Sequence, residues 1–196
     1  MIRSKHGIVL TSALVLSMLI LLAGCSSQPA TADDSAFWTP LRVRGLEANP
    51  AKDLADLVDR SPLIFTGKVL SVEEGPTIHS EGEGEDIVPA ALVVRTNEVI
   101  KGQLDSKDVK IITMTSWEGL QSLPSKAKPS GNQAIFFLEA TIDGYYACTA
   151  AAGLVEDTPD GLVSVMDPVY SVLFNDANGN KQSFIDLVKQ VKKLVK

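Results

Sequence analysis

The chain has 196 residues, with 18 Lys and Arg against 24 Asp and Glu and a formal net charge of −6. That balance lacks the basic footprint with which proteins hold phosphate backbones, so nucleic acid is excluded as a partner class. Two cysteines supply no disulfide framework, so the core must be held by apolar burial.

The first predicted element is a leader. Arg3, Lys5 and His6 make a basic start, and Ile8 to Ala23 (IVLTSALVLSMLILLA) carries no charge. This run suits a secretory apolar region and is short for a transmembrane helix. It ends in Leu-Ala-Gly-Cys, which resembles the bacterial lipobox. The resemblance implies handling by lipoprotein-processing enzymes. Signal peptidase II would cut between Gly24 and Cys25, the Cys25 thiol would carry a diacylglyceryl group, and the new amino group is often acylated as well, with chains such as palmitate. One acyl chain anchors weakly and several anchor firmly, at about 0.8 kcal/mol per buried methylene. The expected location is therefore the outer side of a bacterial cell membrane or the outer membrane, facing the periplasm or the exterior. Ser26 in the second position is not the aspartate of an inner-membrane retention signal, which favours the outer membrane in a two-membraned cell. Cleavage leaves 172 residues with 16 basic and 24 acidic side chains, a net charge of −8. The lipid, not charge, must then hold the protein to anionic headgroups.

Residues 25–36 are expected to be the lipidated cysteine and a flexible tether, SSQPATADDSA from Ser26 to Ala36. Such a tether spans on the order of 20 Å. Residues 37–196 are expected to form a single domain. Phe37 and Trp38 either pack onto that domain or form an exposed aromatic contact; packing is favoured. In NPAKDLADLVDRSP, Asn49 is placed to cap a helix with Pro50 in its first position, Leu54, Leu57 and Val58 form one apolar face, and Pro62 stops it.

Strands follow. Leu63 to Glu74 is rich in β-formers, and Gly67 within it predicts a bulge or bend. Ala90 to Gly102, Val109 to Thr115 and Asn132 to Thr141 are the next three, the last fully buried; Gly144 to Ala150 pairs with it across a turn at Asp143-Gly144. GLVSV and VYSVLF supply one or two more. Ser183 caps a closing helix whose apolar stripe runs through Phe184, Leu187, Val188, Val191 and Leu194, with lysines toward its end. A helix docked on a sheet is preferred over a basic membrane helix. Short strands with few helices predict a mainly β fold, a small antiparallel barrel or sandwich.

The segments DLVDRSPLIFTGKVLSVEE, VVRTNEVIKGQ, VKIIT, NQAIFFLEA and GYYACTAAAGLV together resemble a bacterial lipoprotein pattern similar to the inhibitory domain of tissue inhibitors of metalloproteinases. The resemblance runs from about Asp53 to Val165. It implies a small OB-like antiparallel barrel with a short N-terminal helix and a C-terminal helix, and a first-to-second strand loop that contacts a partner. Those inhibitors chelate a protease zinc through a free N-terminal cysteine held by disulfides. Here the start is Cys25-Ser26-Ser27, so the scaffold carries over and the chelating device does not.

Chemistry is sparse. His79 is the one histidine left after the leader and lies in the polar loop EEGPTIHSEGEGEDIVPA. One histidine and one strand cysteine do not make a zinc site, and a base on a flexible loop does not make a catalytic triad. Cys148, alone once Cys25 is lipidated, reads as a small buried hydrophobe rather than a reactive thiol. Glu73, Glu74, Glu81, Glu83, Glu85 and Asp86 read as solvated charge in preference to a loose Ca²⁺ site. NDANGNKQSFIDL has Asp176, Asn178 and Asn180 but lacks the glycine and the bidentate glutamate of a calcium loop, so a turn is expected. No cofactor and no metal are expected.

The reading is a non-enzymatic, lipid-anchored envelope or surface module that binds an unidentified envelope or extracellular protein. Its candidate partner loop is Glu74, His79, Glu81, Glu83, Glu85 and Asp86. The alternatives are a protease inhibitor acting through the Glu74 to Pro89 loop, and a carboxylate-based hydrolase that rests on acidic residues alone.

Overall fold

The computed structural model describes residues 34–42, 49–80, 84–121, 128–141 and 144–195. The leader, Gly24, Cys25, the tether through residue 33, Glu81, Glu83 and Asp143 lie outside the described residues.

The described chain is mainly β. Its strands are β1 (Leu63–Glu74), β2 (Pro89–Lys101), β3 (Asp108–Ser116), β4 (Ala134–Ala140), β5 (Tyr146–Cys148), β6 (Leu154–Thr158) and β7 (Gly161–Ser164). Short helices accompany them: α1 (Asp34–Trp38), α2 (Leu54–Arg60), α3 (Trp117–Gln121) and α4 (Phe184–Leu194), with 3-10 turns at Thr39–Leu41 and Pro168–Phe174. None of the helices among the described residues is long and apolar enough to cross a membrane.

The seven strands make one sheet in the order β1-β2-β3-β5-β4-β6-β7, and β1 also pairs with β4, so five strands close a ring. All pairings are antiparallel except β3 with β5, which meet in parallel at Ile111 and Tyr146. Closing so small a ring demands strong curvature. The register of β1 against β2 shifts at Ile64/Phe65, at Thr66/Gly67 and at Val69/Ser71, and such bulges bend a strand and increase its twist. The bend expected at Gly67 is one of the three.

The unbroken apolar run Ala134–Leu138 of β4 follows from its position. Because successive side chains point to opposite faces, a strand that reads apolar throughout must be covered on both. Phe136 and Leu138 face the ring interior with Phe65, Leu92, Val94 and Ile111, and Phe136 stacks on Phe65 with centroids 4.9 Å apart. Ile135 and Phe137 face the other way, with Ile64 and Val155, toward Leu57 of α2, Leu187 and Val191 of α4, and Phe174. Leu187 and Val191 are fully buried, each contributing about 1.5–3 kcal/mol. The closing helix is therefore docked on the sheet. The N-terminal pair also packs inward: Phe37, Trp38 and Leu41 join the ring-interior cluster.

Several elements differ from expectation, each for a local reason. The helix cap is Asp53, not Asn49. Asp53 Oδ1 accepts from the Asp56 amide at 2.8 Å, and Asp56 Oδ2 accepts from the Lys52 amide at 3.0 Å. Asp53 closes on the amide three residues on, as an N-cap does, so the helix starts at Leu54. Replacing Asp53 by alanine is expected to cost about 1 kcal/mol, read as a lowered urea midpoint at unchanged slope.

VYSVLF is not a strand but lies in the 3-10 turn from Pro168. Asp167 Oδ1 accepts from the Val169 amide at 3.1 Å, and Pro168 has no amide hydrogen for a ladder. The tether reading through Ala36 overruns by three residues, because α1 already begins at Asp34. The fifth strand is shorter than expected, only Tyr146–Cys148. Its antiparallel pairing to β4 is present, from Leu138 with Cys148 to Ala140 with Tyr146. Gly102 ends β2 with φ +83°, and a Cβ there would lie 2.6 Å from the Pro62 carbonyl oxygen. The glycine that follows that strand is a steric requirement. Ser183 caps α4 as expected, accepting from the Asp186 amide at 3.2 Å.

Candidate functional site

The expected partner loop is the tip of the β1–β2 hairpin. β1 ends at the exposed Glu74. The two strands remain together beyond it: the Gly75 amide donates to Pro89 O at 2.8 Å, and Ile78 and Ile87 exchange amide-to-carbonyl bonds of 2.7 and 3.0 Å. This is a laddered arm rather than a loose loop.

At its end His79 Nδ1 donates to Asp86 Oδ2 at 2.9 Å, and the Ser80 amide donates to Asp86 Oδ1 at 3.3 Å. The imidazole nitrogen must be the donor because a carboxylate only accepts. This bond, ahead of the Ser80 amide, holds the Asp86 carboxyl below the usual carboxylate range. The contact is therefore kept at neutral pH on the carboxylate side and is lost as pH falls through that lowered value. Ser80 Oγ donates to Gly84 O and not to His79. The serine, histidine and aspartate of this arm are thus adjacent without the nucleophile-to-base bond that activates a hydroxyl. Glu85 is exposed. The arm does present apolar surface, with Ile78 exposed and Ile87 55 % exposed as a cross-strand pair.

The structure also shows an apolar groove of about 630 Å³ that no sequence motif announced. Its floor is the stretch Val69–Val72 of β1. Phe37, Pro40 and Leu41 form part of its wall, as do Trp117 and Leu120 of α3. Lys128, Pro129 and Gly131, on the approach to β4, also line it. The groove exists because β4 joins β1 only from Leu63 to Gly67, whereas β2 follows β1 to Glu74. Pro129 has no amide hydrogen with which to extend the ladder. Leu70, 45 % exposed, stands in the opening. Lys128 is the one charged side chain among the described lining residues.

Close to this wall lies a buried carboxylate. Glu156 of β6 is 3 % exposed. Its Oε2 accepts from the Trp38 indole Nε1 at 2.9 Å, and its Oε1 accepts from Ser130 Oγ. Hydrogen bonds of this kind are what a buried polar group needs. They tie α1, β6 and the segment before β4 together.

The remaining sequence candidates are accounted for by local structure. Asp176 Oδ1 accepts from the Asn178 and Asn180 amides at 2.9 and 2.8 Å. Its carboxyl is held below the usual range chiefly by the Asn180 amide, so the group is committed to its own turn. Cys148 is a free thiol on β5, packed against the ring-interior cluster, and burial pushes it up to about 12. At neutral pH it is a thiol and not a thiolate nucleophile. Among the described residues, no three His, Cys, Asp or Glu side chains stand together so as to hold a metal ion.

The architecture defines the protein so far as a mainly β ring with an open groove and a projecting arm. Comparison with known protein families, with characterised proteins and with solved structures gives no match.

Proposed function

We propose that this protein is a lipid-anchored, non-enzymatic module of the bacterial envelope that binds another protein, built on an OB-like barrel. The strand order β1-β2-β3-β5-β4 with β1 returning to β4, the single parallel contact between β3 and β5, and a helix between β3 and β4 support the barrel reading. Such barrels bind through surface loops and open faces. The Leu-Ala-Gly-Cys end of an uncharged leader supports the anchor at Cys25.

The observation that carries the binding reading is the pairing of a side-chain-filled ring with two apolar surfaces left open, the groove beside β1 and the Ile78–Ile87 tip of the arm. Solvent-exposed apolar surface rimmed by polar groups marks interaction sites. The laddered arm also favours inhibition of a protease as a second reading, because an inhibitory loop must be presented in one conformation to keep its affinity.

The test uses the full chain, tagged at its C-terminus and expressed in a bacterial host. Wild-type protein should fractionate with membranes, and Cys25→Ser should release it. Cross-linking in the envelope should give a reproducible protein partner. That partner should be lost, or shifted to a different protein, when residues 76–87 are replaced by an Asn-Gly turn. A Cys25→Ser protein that stays on the membrane would remove the anchor. A cross-linking pattern identical to that of an unrelated lipoprotein would remove the binding module.

A further inference from the structure

We infer that the groove beside β1 is a strand-addition site. An extended segment of a partner protein pairs with the open edge of β1, places alternate apolar side chains against Phe37, Leu41 and Trp117, and sets an acidic residue against Lys128. This rests on the protein-binding reading and names the site and the chemistry of what it takes.

The edge comes first. Beyond Gly67, β1 keeps β2 on one side and, among the described residues, pairs with no strand on the other. The backbone groups facing the groove from Lys68 to Glu74 are therefore a template for another strand. At 3.3–3.4 Å per residue this edge is roughly 20 Å long, enough for about six residues of an added strand. Proteins usually blunt such edges with proline, charge or a covering element. Here the stretch that lines the groove, Val69-Leu70-Ser71-Val72, has no charge and no proline, and charges stand only at the two ends of the edge, at Lys68 and at Glu73 and Glu74.

The walls select the occupant further. A groove of about 630 Å³ is within the size range of ligand sites. Its walls are mostly apolar, with Ser71, Gln121 and Lys128 the polar side chains among the described lining residues, so a ligand polar over its whole surface, such as a sugar or a nucleotide, would leave many of its groups against apolar side chains, which is costly. Two classes match both the apolar walls and Lys128: a fatty acid and an apolar strand bearing a carboxylate. An acyl chain has no donors or acceptors along its length and would leave the β1 edge unpaired. A peptide strand satisfies that edge, fills the walls with every second side chain, and complements Lys128 with an Asp or Glu.

The site is tested with random heptapeptides displayed on phage and selected against the full chain in phosphatidylcholine nanodiscs. Enriched sequences are then made as synthetic peptides and their affinities measured. Alternating apolar residues with an Asp or Glu are expected. N-methylation of every second peptide amide should weaken binding by about tenfold or more in one register and little in the other, because only one set of amides faces β1. Leu70→Asp should weaken binding by about tenfold or more, since Leu70 would act as a central contact, and should leave the melting temperature unchanged because Leu70 is exposed. Lys128→Glu should turn the selected preference from acidic to basic.

Several results would overturn the proposal: no enriched peptide while palmitate binds, equal effects of N-methylation in both registers, or affinity unmoved by Leu70→Asp. If any of these occurs while the cross-linked partner still depends on the hairpin arm, the binding module stands and the strand site falls. If the partner is also absent, both fall.

Discussion

Replacing Trp38 by alanine is expected to remove about 3–5 kcal/mol of stability, a large share of the roughly 5–15 kcal/mol that holds a domain folded. The indole is 2 % exposed, lies edge-on to Phe37 with centroids 4.7 Å apart, and belongs to the same cluster as Phe65 and Phe136 inside the ring. Its loss leaves a cavity within that interior. It also removes the donor to Glu156 Oε2, and an under-satisfied buried polar group costs about 1–3 kcal/mol more. The two losses share one site and will not simply add. Trp38→Phe separates them, since it keeps most of the apolar burial and removes only the N–H, for an expected loss of about 1–3 kcal/mol. Urea unfolding followed by far-UV circular dichroism measures both. A Trp38→Ala protein within about 1 kcal/mol of wild type, small for a buried aromatic, would mean that α1 is not part of the folded core.

How much of this could be read in the sequence depends on how local each feature is. Strands β1 to β4 were legible because each is a long run of β-branched and aromatic residues between Gly, Pro or polar turns. The double coverage of β4 was legible in the unbroken run Ala134–Leu138. The docking of α4 was legible in the spacing of Leu187 and Val191. Asn49-Pro50 misled because it matches a helix start in residue type, while the decision rested on which side chain closes on which amide, and Asp53 with Asp56 does so. VYSVLF misled because its composition suits a strand, and the deciding residues, Asp167 and Pro168, stand just outside it.

Strand β6 was missed altogether. LVEDT carries two acids in five residues, which reads as solvent-facing, and nothing nearby in the chain says that Glu156 is buried. Its partners are Ser130 and Trp38, the latter 118 residues away. The groove was invisible for the same reason. Phe37, Leu70, Trp117 and Lys128 have no common motif, and they meet only because β4 stops pairing with β1 at Gly67. The hairpin arm was legible as a loop, but its ladder through Ile78 and Ile87 was not, since the acids and glycines around it suggested a flexible, solvated segment.

That end point of pairing gives the second large effect: Gly67→Ala is expected to destabilise the ring by about 1–3 kcal/mol or more. Two considerations oppose this sign. Glycine within a strand is poorer than alanine by roughly 0.5–1 kcal/mol through its greater freedom when unfolded, and any side chain with better strand propensity adds at most ~1 kcal/mol. Packing outweighs both. A Cβ on Gly67 would lie 2.5 Å from the Arg95 carbonyl oxygen and 3.2 Å from a Val94 methyl. The nearer atom is backbone, so no rotamer change relieves the contact. Relief requires β1 and β2 to separate at a residue that pairs with Thr96 on one side and Ala134 on the other, where the ring is closed by both neighbours. The displacement would be passed along β1 into Val69–Val72, the floor of the groove. The variant should therefore lose stability in urea and also lose groove binding, whereas Leu70→Asp loses groove binding alone. A Gly67→Ala protein as stable as wild type would show that β1 and β2 part without cost at this point, and a ring that opens so easily could not hold the edge of β1 in place for a partner strand.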